Sequence, residues 1–323
     1  MDTKQVKEKY EETLLTLKGV TGIGLNGSII VYVEELTPQL KGLIPKALDG
    51  VNIKIIETGK ISLLSMGVPM MSAIYPDRIS RYRPAFGGIS CGHTEVTAGT
   101  LTCRAIDKET GKFVGLSNNH VCALNWGSTS IGKKGDSILQ PAPHDGGVES
   151  NDKIGELERW IPVELEKDSV IDGAIFKSDV LGYNIHEVGI LDSVKEPTVG
   201  MGVLKSGRTS GVTYSKVIDV DATILVDGGD WGECTFKDQV IAMPGFIYPG
   251  DSGSWVGEID TFRSVGLGFA GSPVLSVLNK MSNVEELLNI AVLPPILTVN
   301  PWSMTIPLGV VSLVGGIIYG GKK

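Results

Sequence analysis

The sequence predicts a mainly β protein with a small α+β module in front of the β region and an apolar tail after it. Glycine accounts for 42 of the 323 residues, roughly twice its usual share, which indicates many tight turns. Between residues 87 and 275, short apolar runs alternate with clusters of Gly, Asn, Asp and Pro. Short strands separated by frequent turn signals are typical of a β-sandwich or a β-barrel.

The first 60 residues predict an α-β-β-α-β module. Apolar residues at helical spacing predict an amphipathic helix over residues 4–18. Two strands, 20–25 and 28–33, flank an Asn-Gly pair, which favours a tight hairpin turn. A threonine cap predicts a second helix over Thr37–Leu48, and apolar alternation over residues 51–57 predicts a third strand.

Two segments of different character flank the β region. Prolines in the connector 61–86 predict extended, irregular chain, and residues 282–290 predict a short helix before the tail. Residues 302–321 are uncharged and just long enough to cross a bilayer, which takes about 20 residues. Pro307 and several glycines weaken a helix there, so the alternatives are contact with a membrane and packing within an assembly.

Composition narrows the class of protein. The net charge is -8 and the pI is about 5.1, and no long Lys/Arg cluster occurs, so nucleic acid is not an expected partner. The N-terminus carries charges of both signs and no apolar stretch, which argues against a secretory signal peptide. The expected location is therefore the cytoplasm, with reduced cysteines.

Three short strings occur in the order histidine, aspartate, serine. They are Ser-Asn-Asn-His-Val around His120, Val-Ile-Asp-Gly-Ala-Ile around Asp172, and Gly-Asp-Ser-Gly-Ser around Ser252. A serine hydroxyl is a poor nucleophile at neutral pH, so it needs a base to take its proton and a carboxylate to orient that base. Unrelated folds carry these three residues in several orders, this one among them. The strings therefore predict a serine-nucleophile hydrolase.

Ser252 has the strongest local support of the three residues. Glycines on both sides of its Asp-Ser pair permit a sharp turn, and such a turn can aim backbone N–H groups at a developing oxyanion. The alternative is an ordinary turn in a glycine-rich protein. The presence of the other two strings favours the catalytic interpretation.

The histidine and the aspartate each have an alternative role. His120 follows an apolar strand and is either a general base or a structural histidine at the strand end. Asp172 interrupts an apolar run, so its carboxylate is expected to be buried against a donor such as an imidazole N–H. The alternative is an aspartate that binds only nearby backbone N–H groups. Asp168 is the rival acid, in a more polar setting.

Zinc binding and a disulfide are competing interpretations of neighbouring residues. His93, His120, Cys91 and Cys122 match no common zinc-ligand spacing, so no metal or other cofactor is predicted. A disulfide between Cys103 and Cys122 would join the strand before His120 to the loop after it. The expected reducing compartment argues against that bond.

At these residues the sequence resembles the chymotrypsin-like (trypsin-like) serine peptidases, over residues 87–290. The family's strings read Ala-Ala-His-Cys, Asp-Ile-Ala-Leu and Gly-Asp-Ser-Gly-Gly, against Asn-Asn-His-Val, Asp-Gly-Ala-Ile and Gly-Asp-Ser-Gly-Ser here. Residues 265–272 are similar to the family's strand beside the specificity pocket. The wider sequence pattern is similar to that of bacterial and viral members of the family and of the plant narrow-leaf type.

The resemblance implies two six-stranded antiparallel β-barrels with the three residues in the cleft between them. Together with the patterns above, it divides the chain into a module (1–60), a connector (61–86), a first barrel (87–185), a second barrel (186–290) and a tail (291–323). It also implies that Ser252 is the nucleophile, that His120 is the general base and then the acid, and that Asp172 orients His120.

The resemblance further implies an oxyanion hole and a specificity pocket. The hole is formed by the backbone N–H groups of Gly250 and Ser252, and the pocket involves Phe246, Phe269 and Gly271. Phe246 stands where trypsin has an acid, so a preference for Lys or Arg is not expected. Phe269 stands where the family usually has a serine that supports the aspartate. The family's activation sequence is missing from this chain.

Two functions follow from the sequence. The first is a serine endopeptidase that hydrolyses protein or peptide substrates through an acyl-enzyme. The alternative is a non-enzymatic binding or structural protein that keeps the fold, within a larger assembly or at a membrane.

Overall fold

The computed structural model describes residues 2–63 and 76–292, and the predicted mainly β class is confirmed. The N-terminal elements are α1 (Thr3–Leu15), β1 (Val20–Leu25), β2 (Ile29–Val33), α2 (Pro38–Leu43), β3 (Ala47–Leu48), β4 (Val51–Glu57) and β5 (Ser62–Leu63).

The next part of the chain begins with a 3-10 turn (Pro76–Ile79) and holds the first barrel. Its elements are β6 (Ala85–Gly87), β7 (Ser90–His93), β8 (Gly99–Thr100), β9 (Cys103–Asp107), β10 (Phe113–Ser117), α3 (Asn119–Cys122), β11 (Asn125–Trp126), β12 (Thr129–Ser130), β13 (Ser137–Leu139), a 3-10 turn (Pro143–Asp145), α4 (Glu149–Asp152), β14 (Lys153–Trp160) and β15 (Ala174–Lys177).

Short linking strands then lead to the second barrel. The remaining elements are β16 (Leu181–Ile185), β17 (Gly189–Ile190), β18 (Asp192–Val194), β19 (Gly202–Gly207), β20 (Gly211–Asp227), a 3-10 turn (Gly229–Trp231), β21 (Glu233–Ala242), β22 (Trp255–Glu258), β23 (Arg263–Ser272), β24 (Leu275–Lys280), α5 (Met281–Leu287) and β25 (Ile290–Ala291).

Two strand rings close, as the resemblance implies. In the first, β7 pairs with β13 and with β8, and β8 continues after two residues into β9, which pairs with β10. The strands β10, β15, β14 and β13 complete that ring. In the second, the pairing runs β19, β22, β23, β24, β21, β20 and back to β19. Closure leaves no free edge along most of each ring.

Each ring encloses its own apolar core. Buried side chains that include Leu101, Val121 and Phe176 fill the first barrel, and a group that includes Val240 and Val256 fills the second. A third cluster contains Trp126, Phe236 and Phe269, which brings side chains from both halves of the chain together.

The N-terminal module extends the sheet of the second barrel. β1 pairs with β20 through Gly22 and Ile224, and β2 pairs antiparallel with β1 and parallel with β4. A Cβ at Gly22 would lie 2.6 Å from the carbonyl oxygen of Thr223, so only glycine permits this approach. The predicted division of the chain at residues 60, 86, 185 and 290 stays a prediction.

One predicted helix is shorter than expected. α2 begins at the predicted Thr37 cap, whose side chain accepts a hydrogen bond from Leu40 N, but it ends at Leu43 rather than Leu48. Pro45 follows, and proline disfavours helical dihedrals in the residue before it. Ile44 is accordingly extended, and Ala47–Leu48 forms β3 instead.

Within the described ranges 2–63 and 76–292, no helix is both long enough and apolar enough to cross a membrane. The segment 302–321, for which membrane or assembly contact is predicted, lies outside these ranges, as does the rest of the tail from residue 293.

Candidate active site

His120 and Asp172 meet in a fully buried pair. The short helix α3 carries His120 just after β10, and Asp172 lies shortly before β15, which pairs with β10. The Asp172 carboxylate accepts a hydrogen bond from the backbone N–H of His120 at 3.1 Å, and its second oxygen bonds to His120 Nδ1. Both side chains have an exposed fraction of 0%. The Asp172 carboxylate is therefore buried against an imidazole, as predicted.

Amide side chains fix the backbone around Asp172. Asn118 Nδ2 donates to the Asp172 carbonyl oxygen at 2.7 Å, and Asp172 N donates to Asn279 Oδ1 at 3.0 Å. Asn279 in turn donates to Gln239 Oε1 at 2.8 Å. These residues were missed by the sequence analysis, since nothing local to Asn279 or Gln239 relates them to a site more than 60 residues away. The Asn-Asn pair before His120 was the one available signal.

Ser252 lies in a turn whose backbone requires glycine. Gly250 and Gly253 both have φ of +91°, in the left-handed region. A Cβ at Gly250 would lie 2.2 Å from Thr209 Oγ1, and a Cβ at Gly253 would lie 2.1 Å from the carbonyl oxygen of Thr100. The glycines predicted to shape this turn are therefore required both by dihedral angle and by close approach.

Asp251 anchors the same turn from the interior. Its buried carboxylate accepts hydrogen bonds from the backbone N–H groups of Thr209 at 2.8 Å, Ser210 at 3.1 Å and Tyr248 at 3.1 Å. Lys205 Nζ lies 3.0 Å from Asp251 Oδ2, and neither side chain is exposed. Burial lowers the pKa of Lys205 and Asp251 opposes that shift. The Lys205 amine is therefore the internal partner of this carboxylate.

The Ser252 turn lies against the segment that leads to His120. Thr100 N donates to the Ser252 carbonyl oxygen at 2.7 Å. A Cβ placed on Gly99 would lie 2.4 Å from Val121 Cγ2 and 2.9 Å from the Ser252 carbonyl oxygen. The residue after His120 and the backbone of Ser252 thus pack on the same glycine. The structure brings the predicted histidine, aspartate and serine into one region where the two barrels meet.

Polar atoms of His120 and of the Ser252 turn have no partner in the described part of the chain. His120 Nε2 is buried without a hydrogen-bond partner. Among residues 2–63 and 76–292, no acceptor is found for the backbone N–H of Gly250 or of Ser252. Ser252 Oγ donates to the Phe269 carbonyl oxygen at 3.4 Å, rather than to His120. Buried polar groups are nearly always paired, so a buried ring nitrogen without a partner among the described residues is available to bind or react with a further group.

The three residues predicted for the specificity pocket do not share one environment. Phe246 packs inside the second barrel among the side chains of Val203 and Val240. Phe269 lies in another cluster, with its ring 4.8 Å from that of Phe236. Gly271 is buried in β23, where it pairs with Ser276. Phe246 thus fills the barrel core, and the role of these residues in specificity stays a prediction.

The remaining histidines have structural or surface positions. His93 Nε2 lies 3.1 Å from Asp136, His186 Nε2 lies 2.7 Å from Asp77, and His144 is exposed. The rival acid Asp168 is exposed and pairs with Lys237 at 2.7 Å.

All four cysteines are buried free thiols, so the alternative Cys103–Cys122 disulfide is not formed. Burial raises the pKa of Cys103 to about 12 and that of Cys234 to about 11. Such groups stay protonated at neutral pH and make poor nucleophiles. No group of three potential metal ligands occurs in the part of the chain that the structure describes.

No protein-family model matches this chain, and no curated protein matches it. Three solved structures illustrate what it is similar to. They are Nocardiopsis protease (14% identity, 64% of this chain and 97% of that chain, TM-score 0.45), Cellulomonas bogoriensis chymotrypsin (12%, 65% and 99%, 0.43) and a glutamic acid specific serine protease (15%, 65% and 100%, 0.45). The resemblance to chymotrypsin-like serine proteases is met again in these neighbours. At TM-scores below 0.5 it carries no argument about the site, which rests on its own geometry.

Proposed function

We propose that this protein is a serine endopeptidase that hydrolyses protein or peptide substrates through an acyl-enzyme. Ser252 Oγ turns from the Phe269 carbonyl towards His120 Nε2 and attacks the substrate carbonyl carbon, while Nε2 takes the hydroxyl proton. The Asp172 carboxylate accepts from Nδ1–H and stabilises the charged imidazole. The Gly250 and Ser252 N–H groups donate to the tetrahedral oxyanion.

The second half of the reaction uses the same groups. The tetrahedral intermediate collapses, the bond to the leaving nitrogen breaks, and His120 Nε2–H gives its proton to that nitrogen. Water then attacks the acyl-enzyme, with His120 again taking a proton, and the acid product leaves as Ser252 regains its hydrogen. Each step is supplied by residues of this chain, so the proposal needs no cofactor.

One observation carries the proposal. A buried carboxylate holds His120 by its backbone N–H and by Nδ1. Among residues 2–63 and 76–292, neither His120 Nε2 nor the backbone N–H groups of Gly250 and Ser252 have a partner. A purely structural histidine at this position would be expected to use both ring nitrogens, because a buried unpaired polar atom costs free energy.

Labelling by a fluorophosphonate probe tests the assignment of the nucleophile. The wild-type chain is expected to be labelled at one serine, and Ser252→Ala is expected to lose that label completely because the reacting oxygen is gone. Ser150, an exposed serine in α4, provides the matched control: Ser150→Ala should be labelled as the wild type is. Unchanged labelling of Ser252→Ala would contradict the proposal.

A non-enzymatic binding protein that keeps the fold is the second proposal. It is favoured by the hydrogen bond from Ser252 Oγ to Phe269 and by the complete burial of Ser252 and His120. Under this proposal the wild-type chain binds peptides without being labelled, and replacing Ser252 by Ala leaves peptide binding unchanged.

A further inference from the structure

The short strand β5 ends beside the predicted nucleophile. Ser62 pairs with Gly271 and Leu63 pairs with Ala270, both antiparallel. The register therefore advances along β5 towards Phe269, the residue whose carbonyl oxygen accepts from Ser252 Oγ at 3.4 Å.

β5 pairs with Ala270 and Gly271 on the edge of β23 that faces away from β24. No other described strand pairs with these two residues on that edge. β22 pairs with β23 as far as Leu267, and the last backbone bonds between these two segments reach Gly268. Beyond that point, β24 holds only one edge of β23, through Ala270 and Gly271. An open sheet edge is a template for any extended peptide, and here the edge lies next to Ser252.

The second side of β5 is also held. Asp227 N, at the end of β20, donates to the Ile61 carbonyl oxygen at 2.9 Å, and Lys60 Nζ lies 2.7 Å from an Asp227 carboxylate oxygen. The segment thus lies between the ends of β20 and β23, two strands that are not neighbours in the barrel ring.

Apolar side chains anchor the segment. Ile61 and Leu63 are only 1% and 2% exposed, and they belong to the cluster that contains Phe236 and Phe269. An extended backbone on a sheet edge combined with a side chain in an apolar recess is the geometry by which many domains recognise peptides.

We propose that residues 61–63 occupy, within their own chain, the position that a substrate peptide takes beside Ser252, and so hold the active site closed to other peptides. The inference rests on the proposed peptidase function and adds its regulation. Complete burial of Ser252 and His120 accords with a closed site. The occupant also describes the preferred substrate: an extended peptide with a leucine-sized apolar residue at the position of Leu63.

The rate of fluorophosphonate labelling tests this occupancy in the full-length chain. Leu63→Ala removes a buried side chain that anchors the segment, and it is expected to be labelled about tenfold faster than the wild type. Leu14→Ala is the matched control, because Leu14 is a buried leucine of α1 in the N-terminal module, which immediately precedes residues 61–63. Loss of the Leu14 side chain removes a similar amount of apolar packing but leaves residues 61–63 in place. The labelling rate of Leu14→Ala should therefore equal that of the wild type.

A peptide supplied in trans provides the second measurement. An acetylated and amidated peptide with the sequence of residues 58–63, Thr-Gly-Lys-Ile-Ser-Leu, should slow the labelling of Leu63→Ala towards the wild-type rate. The same peptide carrying the Leu63→Asp substitution should have no effect, because it would bury a charge in an apolar recess.

Each result has a definite consequence. Equal labelling rates for wild type, Leu63→Ala and Leu14→Ala, or a Leu63→Ala rate that the peptide does not alter, would overturn self-occupancy and leave the peptidase assignment standing. No labelling of any variant would instead overturn the peptidase assignment, and self-occupancy with it.

Discussion

Two fully buried carboxylates, Asp172 and Asp251, belong to the candidate active site and have different hydrogen-bond partners. Asp251 accepts from three backbone N–H groups and lies 3.0 Å from Lys205 Nζ. Asp172 binds His120, whose other ring nitrogen has no partner among the described residues. One network is fully paired, and the other ends in a ring nitrogen that has no hydrogen-bond partner among residues 2–63 and 76–292.

We expect the two carboxylates to have different roles, Asp251 in the stability of the protein and Asp172 in the rate of the reaction. The closed network around Asp251 fixes the backbone of the Gly250–Ser252 turn, so its loss should be felt mainly in stability. The open network around Asp172 orients His120, so its loss should be felt mainly in rate. Substitution of Asp251 should therefore lower the free energy of unfolding more than the rate, and substitution of Asp172 should lower the rate more than the free energy of unfolding.

The largest expected effect is on the rate at Asp172. Asp172→Asn is expected to lower the fluorophosphonate labelling rate by about 10⁴-fold, because an amide favours the wrong imidazole tautomer and does not stabilise the charged form. Asp168→Asn, at the exposed aspartate that pairs with Lys237, should leave the rate unchanged. Equal rates for the two variants would remove Asp172 from the catalytic group.

The next effect is on stability at Lys205. Lys205→Met leaves the buried Asp251 carboxylate without its cation and is expected to lower the free energy of unfolding by about 3–5 kcal/mol, measured by urea denaturation. The double variant Lys205→Met/Asp251→Asn should recover part of this loss, since the remaining group is neutral. A single-variant loss below about 1 kcal/mol would mean that the pair does not anchor the turn.

The smallest effect is a pH dependence at a third buried carboxylate, Asp219, which lies where β1 meets β20. Burial raises the pKa of Asp219 to about 6 from an ordinary 3.8, against the effect of its hydrogen bonds from Leu25 N, Asp221 N and the Tyr32 hydroxyl. The unfolded chain therefore ionises at lower pH than the folded one. The contribution of Asp219 to the free energy of unfolding should be fully present below about pH 4 and be lost, by roughly 3 kcal/mol, as the pH rises past about 6.

Denaturation of Asp219→Asn across this pH range checks the assignment. The variant should lack the fall in stability between about pH 4 and pH 7, whereas Asp192→Asn, at an exposed aspartate, should keep it. A fall that persists in Asp219→Asn would place its origin in another group.

Local sequence patterns indicated the candidate site residues, but not the residues that hold them in place. The strings around His120, Asp172 and Ser252 could be recognised because a turn, a strand end and a charge within an apolar run are all local patterns. The partners that complete the site are set by pairing between distant strands. Lys205 in an apolar strand gave no local indication of its pairing with the Asp251 carboxylate, and Asn279 in β24 gave none of its hydrogen bond from the backbone N–H of Asp172.

The fold, too, could be predicted from sequence only where it depends on local patterns. The many short strands and the N-terminal module could be predicted from turn residues and apolar spacing. The pairing of β1 with β20 and that of β5 with β23 could not, because two strands separated by some 200 residues leave no periodic signal. A two-residue strand such as Ser62–Leu63 is also too short for alternation to be detected.

The most direct test of the account is a crystal structure of the full chain after reaction with a fluorophosphonate. We expect phosphorus bonded to Ser252 Oγ, one phosphoryl oxygen within about 3 Å of the Gly250 and Ser252 nitrogens, and His120 Nε2 within hydrogen-bond distance of the adduct. Phosphorus on another residue, or an adduct at Ser252 that contacts neither His120 nor these two N–H groups, would contradict it.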